Sequence, residues 1–230
     1  MHRNSRPENR PIIRVLQAVN VCFARIYHRL SVHAPHRLPR TGAAILVCNH
    51  VSGVDPLLIQ SVCPRVIHWM VAKEYTTLPV LSWVFRQIGA IPVERSGRDL
   101  ASTRAAMRAL AEGGVLGVFP EGRIETSREL LPFQTGVALM AIKTNVPIFP
   151  VYLEGTQRGR EITEAVLRPC VASVTFGPEV QIDRNSTSRN VLDENTQKIE
   201  NAVRDLRDKC GPTNLRYGCR TPRGRPTGGG

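Results

Sequence analysis

The sequence predicts an α/β fold in which a mixed, largely parallel β-sheet is flanked by helices and preceded by an N-terminal amphipathic helix. Two observations support this prediction. Hydrophobic residues make up 42% of the 230 residues and charged residues 22%, which is typical of a domain with a packed core. Six short apolar segments then alternate with segments of helical periodicity, an order that favours parallel strands covered by helices on both faces.

The first predicted element is a helix over residues 11–30. At about 100° per residue, its apolar and polar side chains separate onto two sides, and Pro11 suits the first turn. The polar side contains arginines and no acid: Arg14, Gln17, Asn20, Arg25, His28 and Arg29. Two interpretations stay open, because the apolar side can pack on the rest of the domain or lie in the interface of a membrane.

The remaining elements follow in order along the chain. Ligands of parallel α/β sheets bind beyond the carboxyl ends of the strands, so the residues that follow each strand are the candidates for a functional site. The predicted strands are 43–48, 66–71, 89–93, 115–119, 147–153 and 171–176, and the predicted helices are 56–63, 79–87, 99–112, 133–145 and 195–209.

The ends of the chain hold most of its net charge of +12. Residues 1–54 contain eight arginines and one acid, Glu8, and residues 211–230 contain four arginines and no acid. Basic ends on a nearly neutral body suit an anionic membrane surface or a nucleic-acid backbone. We therefore predict three parts: a basic, amphipathic, membrane-contacting segment (1–35), a folded domain (36–210) and a basic disordered tail (211–230).

The sequence also argues against several classes of protein. Its six cysteines form no C-x-x-C pair, which disfavours a zinc ribbon or a disulfide framework and suits a reduced cytosolic chain. No run of 18 apolar residues occurs, so we do not expect a simple transmembrane span. The N-terminus lacks a signal-peptide cleavage site, and we expect it to be retained. No cofactor or metal ion is indicated.

The first candidate motif follows the strand 43–48 and reads Asn49-His50-x4-Asp55. Residues five apart lie about 140° apart on a helix, so His50 and Asp55 must meet across a turn. Asp55 before Pro56 is predicted to cap a helix, and its carboxylate can accept a hydrogen bond from His50 Nδ1, which leaves Nε2 free as a base. The alternative is a capping aspartate beside an incidental histidine.

Three further motifs follow later strands: Gly-Ala-Ile-Pro-Val-Glu-Arg at 89–95, Phe-Pro-Glu-Gly-Arg at 119–123 and Val-Pro-Ile-Phe-Pro-Val at 146–151. Together with the His50 motif and in this order, they resemble the four sequence blocks of the glycerolipid acyltransferases, the family of 1-acylglycerol-3-phosphate acyltransferase. The resemblance covers roughly residues 40–182. It implies that a fatty acyl group is transferred from acyl-CoA or acyl carrier protein to a lipid hydroxyl, without an enzyme nucleophile.

The resemblance also implies roles for individual residues. His50 is the general base and Asp55 orients it, while Arg95 binds the acceptor phosphate in a pocket lined by Glu121 and Gly122. The sequence agrees with an external nucleophile, since it contains no G-x-S-x-G, P-loop or G-x-G-x-x-G motif. Arg95 can instead form a surface salt bridge. Four further apolar residues are expected to fill the core or to line an acyl-chain channel, and not to mark a cofactor site: Trp69, Met70, Trp83 and Phe85.

Two residues leave the acceptor open. Lys73 is a second candidate for the phosphate, although it can equally be a solvated surface lysine. Arg123 directly follows Gly122, where many lysophosphatidate-acylating members have F-P-E-G-T-R-S, and the form found here occurs among relatives that acylate other lysophospholipids or glycerol 3-phosphate. We predict 1-acylglycerol-3-phosphate as the acceptor, phosphatidate as the product, and Arg123 as part of the acceptor site.

A rival hypothesis from another class is a noncatalytic module whose arginine-rich ends bind an anionic bilayer or RNA. Nucleic acid is disfavoured because the body is nearly neutral and aromatic residues make up only 5% of the chain. We expect a peripheral membrane enzyme of phospholipid biosynthesis at the cytoplasmic face, with an acyl donor, a lysophospholipid acceptor and an anionic membrane surface as partners.

Overall fold

A computed structural model describes residue 7 and residues 10–94, 99–126 and 129–210. Its strands are β1 (Ser31–Ala34), β2 (Ala44–Cys48), β3 (Ile67–Ala72), β4 (Ile91–Val93), β5 (Val115–Val118), β6 (Ile148–Glu154) and β7 (Ser173–Phe176). Its α-helices are α1 (Pro11–Cys22), α2 (Asp55–Ser61), α3 (Pro79–Ile88), α4 (Leu100–Ala111), α5 (Gly136–Thr144), α6 (Ile162–Leu167) and α7 (Arg189–Cys210). A π-helix (Phe23–Tyr27) extends α1, and a 3-10 helix (Lys73–Thr77) precedes α3.

The strands form one seven-stranded sheet in the order β1-β7-β6-β2-β5-β3-β4. Strands β6, β2, β5, β3 and β4 are mutually parallel, while β7 is antiparallel to β6 and parallel to β1. The predicted mixed, largely parallel sheet is therefore confirmed. The carboxyl ends of its parallel strands lie along one edge, which is where such folds build their sites.

The core has two halves because alternate residues of β2 point to opposite faces of the sheet. Leu46 and Cys48 belong to the half that includes α2, whereas Ile45 and Val47 belong to the half that includes α4, α5 and α7. All five residues of β2 are buried, as expected for a central strand covered by helices on both faces.

Every strand and helix that the periodicity predicts is present, with shifted ends. The largest shift is in α7, which begins at Arg189 instead of 195. The sequence reasoning missed β1 and α6. Strand β1 is a four-residue edge strand that alternates exposed and half-buried residues, and α6 has only six residues, so neither is long enough to produce a clear periodic signal.

The N-terminal helix ends earlier than the predicted residue 30. The helical segment stops at Tyr27, and Arg29 adopts a left-handed backbone with φ of 45° before β1 begins. Strand β1 pairs with β7, so residues of the predicted 1–35 segment belong to the sheet. The boundary at residue 36 stays a prediction, and the predicted tail 211–230 lies outside the described residues.

Helix α1 docks on α2 largely through polar side chains. Gln17 Nε2 donates to the backbone carbonyls of Gln60 and Cys63 at 2.9 and 3.1 Å, and Asn20 Nδ2 donates to that of Leu57 at 2.8 Å. The helix therefore turns its polar amides towards the domain. Its outward side exposes apolar residues: Ile12, Val15, Val19 and Ile26 are 38, 58, 63 and 76% exposed.

Candidate active site

The predicted histidine and aspartate meet at the carboxyl end of β2. His50 Nδ1 lies 3.1 Å from Asp55 Oδ2. The same oxygen accepts hydrogen bonds from the backbone N–H groups of Val51 and Ser52, both at 2.8 Å. Asp55 is fully buried, whereas the His50 side chain is 17% exposed. The contact fixes Nδ1 and leaves Nε2 as the ring nitrogen available to a substrate.

The capping part of the prediction is wrong. Helix α2 has Val54 as its N-cap, and Asp55 is the first helical residue, with no side-chain cap. The carboxylate turns back to the preceding loop, where the ring Nδ1 of His50 and the backbone N–H groups of Val51 and Ser52 converge on it. Asp55 therefore organises the turn that carries His50.

The backbone of His50 is held from the neighbouring loop after β5. Its N–H donates to Glu121 Oε1 at 2.9 Å, and its carbonyl accepts from the Glu125 N–H at 2.7 Å. Glu121 Oε2 accepts a second hydrogen bond from the Leu131 N–H at 3.3 Å. Glu121 thus joins the His50 turn to the chain that follows β5.

The Glu121 carboxyl is an ionisable group in a buried position. It is only 6% exposed. Burial raises the pKa of Glu121 to about 7, although hydrogen bonds from the His50 and Leu131 N–H groups oppose this rise. The group therefore changes its charge close to neutral pH.

Aromatic rings support the His50 imidazole. The ring stacks on Phe119 with centroids 4.0 Å apart, and Phe119 stacks on Trp69 at 5.0 Å. Trp69 is buried beside Gly117, where a Cβ would lie only 2.4 Å from the indole ring. Gly117 thus leaves the space in which the stack is built.

Two cavities meet at His50. One, of about 380 Å³, lies between α1, α2, β3 and α3 and is mostly apolar; we call it the apolar cavity. The other, of about 500 Å³, lies beside α4 and α5; we call it the polar cavity because Asp99, Ser102, Arg123 and Gln134 contribute to its wall. His50 lines both, so its ring stands where a ligand of one cavity can meet a ligand of the other.

Of the five residues predicted to bind the acceptor, two line the polar cavity, and neither Glu121 nor Lys73 is among its lining residues. Gly122 and Arg123 line it, and Gly122 has a φ of 72° that favours glycine. Lys73 Nζ forms an exposed ion pair with Glu94 at 2.6 Å. Arg95 lies outside the described residues. The substrate-binding roles of these residues stay predictions.

The sequence reasoning missed three supporting residues. Asn49 joins β2 to β6 through two hydrogen bonds with the Leu153 backbone, at 2.8 and 2.9 Å. Phe119 stacks on His50, and Glu125 supplies its backbone N–H. Asn49 and Phe119 stand inside two of the motifs, at strand ends, and that position is the one signal that marks them.

No group of three or more His, Cys, Asp or Glu side chains within the described ranges can hold a metal ion. Across those same ranges, no helix combines the length and apolar character needed to cross a bilayer.

Comparisons with known proteins identify the family of the chain. The model of the family described as Acyltransferase matches residues 29–154. The 1-acyl-sn-glycerol-3-phosphate acyltransferase of Bacillus subtilis is 23% identical over 77% of this chain and 91% of its own length. The enzymes of the same name from Cocos nucifera and Borreliella burgdorferi are 29 and 30% identical over 61 and 56% of this chain, which spans 46 and 52% of their lengths.

A solved structure has the same fold. The crystal structure of the 1-acyl-sn-glycerophosphate (LPA) acyltransferase, PlsC, from Thermotoga maritima superposes with a TM-score of 0.66 and 20% identity, over 86% of this chain and 81% of that one. The segment matched by the family model contains β1 to β6 and the His50–Asp55 pair. The class of protein is therefore an acyl-transferring α/β enzyme. The chain belongs to the acyltransferase family, and the resemblance drawn from its motifs is confirmed.

Proposed function

We propose that this enzyme transfers a fatty acyl group from acyl-CoA or acyl carrier protein to the free hydroxyl of 1-acylglycerol-3-phosphate, giving phosphatidate. The observation that carries the proposal is the position of His50 at the junction of the two cavities, with Asp55 on its Nδ1. The names of its relatives in Bacillus, Cocos and Borreliella support the choice of acceptor.

In the proposed reaction, His50 Nε2 removes the proton of the acceptor hydroxyl as its oxygen attacks the thioester carbonyl carbon. The new carbon–oxygen bond forms a tetrahedral intermediate, which collapses by breaking the carbon–sulphur bond. The proton passes from His50 to the departing thiolate. The products are an ester and a free thiol, and the histidine returns to its neutral form.

Asp55 supports this cycle in two ways. Its fully buried carboxylate accepts from Nδ1, so it favours the tautomer with a free Nε2 and stabilises the imidazolium that forms in the reaction. Its bonds to the Val51 and Ser52 N–H groups hold the loop so that the ring keeps this orientation.

The cavities are assigned by their chemistry. An acyl chain suits the apolar cavity, whose wall includes the predicted Trp69, Met70 and Phe85. The acceptor headgroup suits the polar cavity, where the Arg123 guanidinium can bind a phosphate. Arg95 is proposed to bind the same phosphate, because β4 ends beside this cavity at Val93.

The enzyme is proposed to act as a peripheral protein on an anionic membrane at the cytoplasmic face. Helix α1 exposes Val15, Val19 and Ile26 to solvent while its amides bond to α2. Arg14 and Arg25 flank these residues, and both are exposed without an ion pair to any described residue. A helix with an outward apolar side and flanking arginines suits the interface of an anionic bilayer.

Thiol release from acyl-CoA and from acyl carrier protein thioester tests the proposal. The acceptors to compare are 1-acylglycerol-3-phosphate, glycerol 3-phosphate and a lysophospholipid with a larger headgroup. We expect the highest kcat/KM with 1-acylglycerol-3-phosphate, and a kcat about 10² to 10⁴ lower with the His50→Ala variant. Preference for another acceptor would overturn the assigned substrate while leaving the acyl transfer intact.

A further inference from the structure

Helix α3 has apolar residues on both of its sides and buries none of them. Six of its ten residues are large and apolar, yet none is buried. One side lines the apolar cavity with Leu81, Val84, Phe85 and Ile88. The other side faces solvent, where Val80 is 75% exposed and Trp83 41%, and Leu78, just before the helix, is 40% exposed. Amphipathic helices ordinarily place such a face against another surface.

The single charge that α3 itself carries is positive. Residues 75–93 contain one cation, Arg86, and no acid; Glu74 precedes this stretch, and Glu94 follows it and is paired with Lys73. Arg86 is exposed, and its Nε donates to the Ser82 carbonyl of its own helix. It forms no ion pair with the rest of the described chain. This face therefore complements an anionic partner and not a cationic one.

The cavity-lining side of α3 shares the apolar cavity with α1. Leu16 and Val19 of α1 and Phe23 of the π-helix line that cavity together with Leu81 and Phe85 of α3. Val19 lines the cavity and is at the same time 63% exposed, so the cavity opens beside the outward side of α1. The two helices thus flank one apolar opening.

We propose that α3 is a second membrane-docking element, whose Leu78, Val80 and Trp83 enter the interface of an anionic phospholipid leaflet beside α1. The apolar cavity then opens between the two docked helices, directly opposite the acyl region of the leaflet. Trp83 is suited to this depth, because an indole ring buries its apolar body and keeps its N–H near the headgroups. The inference rests on the proposed function for the membrane contact at α1.

The chain has two tryptophans, and they differ in exposure. Trp69 is 2% exposed and Trp83 is 41% exposed, so the emission difference between the parent and a Trp83→Phe variant reports Trp83. The full-length protein is mixed with vesicles of phosphatidylcholine and phosphatidylglycerol, with and without bromine on the acyl chains. We expect the Trp83 emission to shift to shorter wavelength, to be quenched by brominated chains and to be protected from aqueous acrylamide.

Variants then test the contribution of the face to binding. Val80→Asp should lower the vesicle partition coefficient about tenfold or more, and Val80→Asn should lower it less, because it adds no charge. Asn201→Asp adds the same charge on α7, which covers the other half of the core, and should change partitioning little. Circular dichroism of each variant checks that it is folded.

The outcomes separate this inference from the membrane contact of α1. If Val19→Asp weakens vesicle binding while Trp83 stays open to acrylamide and unaffected by brominated lipid, α1 docks and the inference for α3 is overturned. If the parent does not bind vesicles, the membrane contact proposed for α1 fails as well. A lipid-independent shift of Trp83 emission that depends on protein concentration identifies a second copy as the occupant and also overturns it.

Discussion

The Glu121 carboxyl provides a prediction about stability that can be worked through in full. The pKa of Glu121 is about 7 in the folded protein, compared with an ordinary value of 4.5. Between pH 4.5 and pH 7, Glu121 is therefore protonated in the folded chain and ionised in the unfolded chain. The stabilising contribution of the neutral carboxyl is complete below pH 4.5 and is lost as the pH rises through 7. A Glu121→Gln variant cannot ionise and removes this dependence.

The size of the effect follows from the same values. Each tenfold difference in proton affinity corresponds to about 1.4 kcal/mol, so the upper limit of the change in unfolding free energy is about 3 kcal/mol. The change expected between pH 5 and pH 8 is about 1 to 3 kcal/mol. The variant also loses one backbone hydrogen bond, because an amide oxygen replaces only one carboxylate oxygen. The part of that loss that does not depend on ionisation cancels when two pH values are compared, and the part that does is already contained in the folded pKa.

The measurement is urea unfolding of the parent and the Glu121→Gln variant at pH 5, 6, 7 and 8. We expect the unfolding free energy of the variant to gain about 1 to 3 kcal/mol relative to the parent from the lowest to the highest pH. Glu112→Gln, an exposed acid beyond the end of α4, serves as the control and should show no comparable trend. A constant difference between parent and Glu121→Gln across this range would refute the reasoning about burial.

Three further predictions concern catalysis and the membrane. His50→Ala should lower kcat by about 10² to 10⁴ without unfolding the protein, and near-normal turnover of the folded variant would show that His50 is not the general base. Asp55→Ala should lower both kcat and the unfolding free energy, because it also breaks the hydrogen bonds to the Val51 and Ser52 N–H groups. Arg95→Ala should weaken acceptor use by about 1.5 to 3 kcal/mol, with partial rescue by Arg95→Lys, and an unchanged kcat/KM for the acceptor contradicts phosphate binding. Val19→Asp with Ile26→Asp should release the protein from anionic vesicles in flotation, and equal binding of parent and double variant argues against docking through α1.

Much of the fold could be predicted because its main elements have strong periodic signals. Central strands such as β2 are continuous apolar runs, and α4 alternates apolar and polar residues with a helical period. The orientation of α1 could not be predicted. A helical wheel assigns Gln17 and Asn20 to a solvent side, whereas both amides face the domain and donate to backbone carbonyls of α2 and of the residues just after it.

In the site, too, contacts between residues close in sequence could be predicted, whereas contacts between distant residues could not. The approach of His50 to Asp55 spans five residues, and the intervening turn residues indicate it in the sequence. The bond from the His50 N–H to Glu121 spans 71 residues. It exists because β5 lies beside β2 in the sheet although β3 and β4 come between them in the chain. Neither periodicity nor turn chemistry specifies which crossover places two strands side by side. The motif resemblance therefore suggested Glu121 as part of the acceptor pocket, while the geometry gives its carboxylate two backbone N–H partners. The urea experiment on Glu121→Gln probes the group in that position.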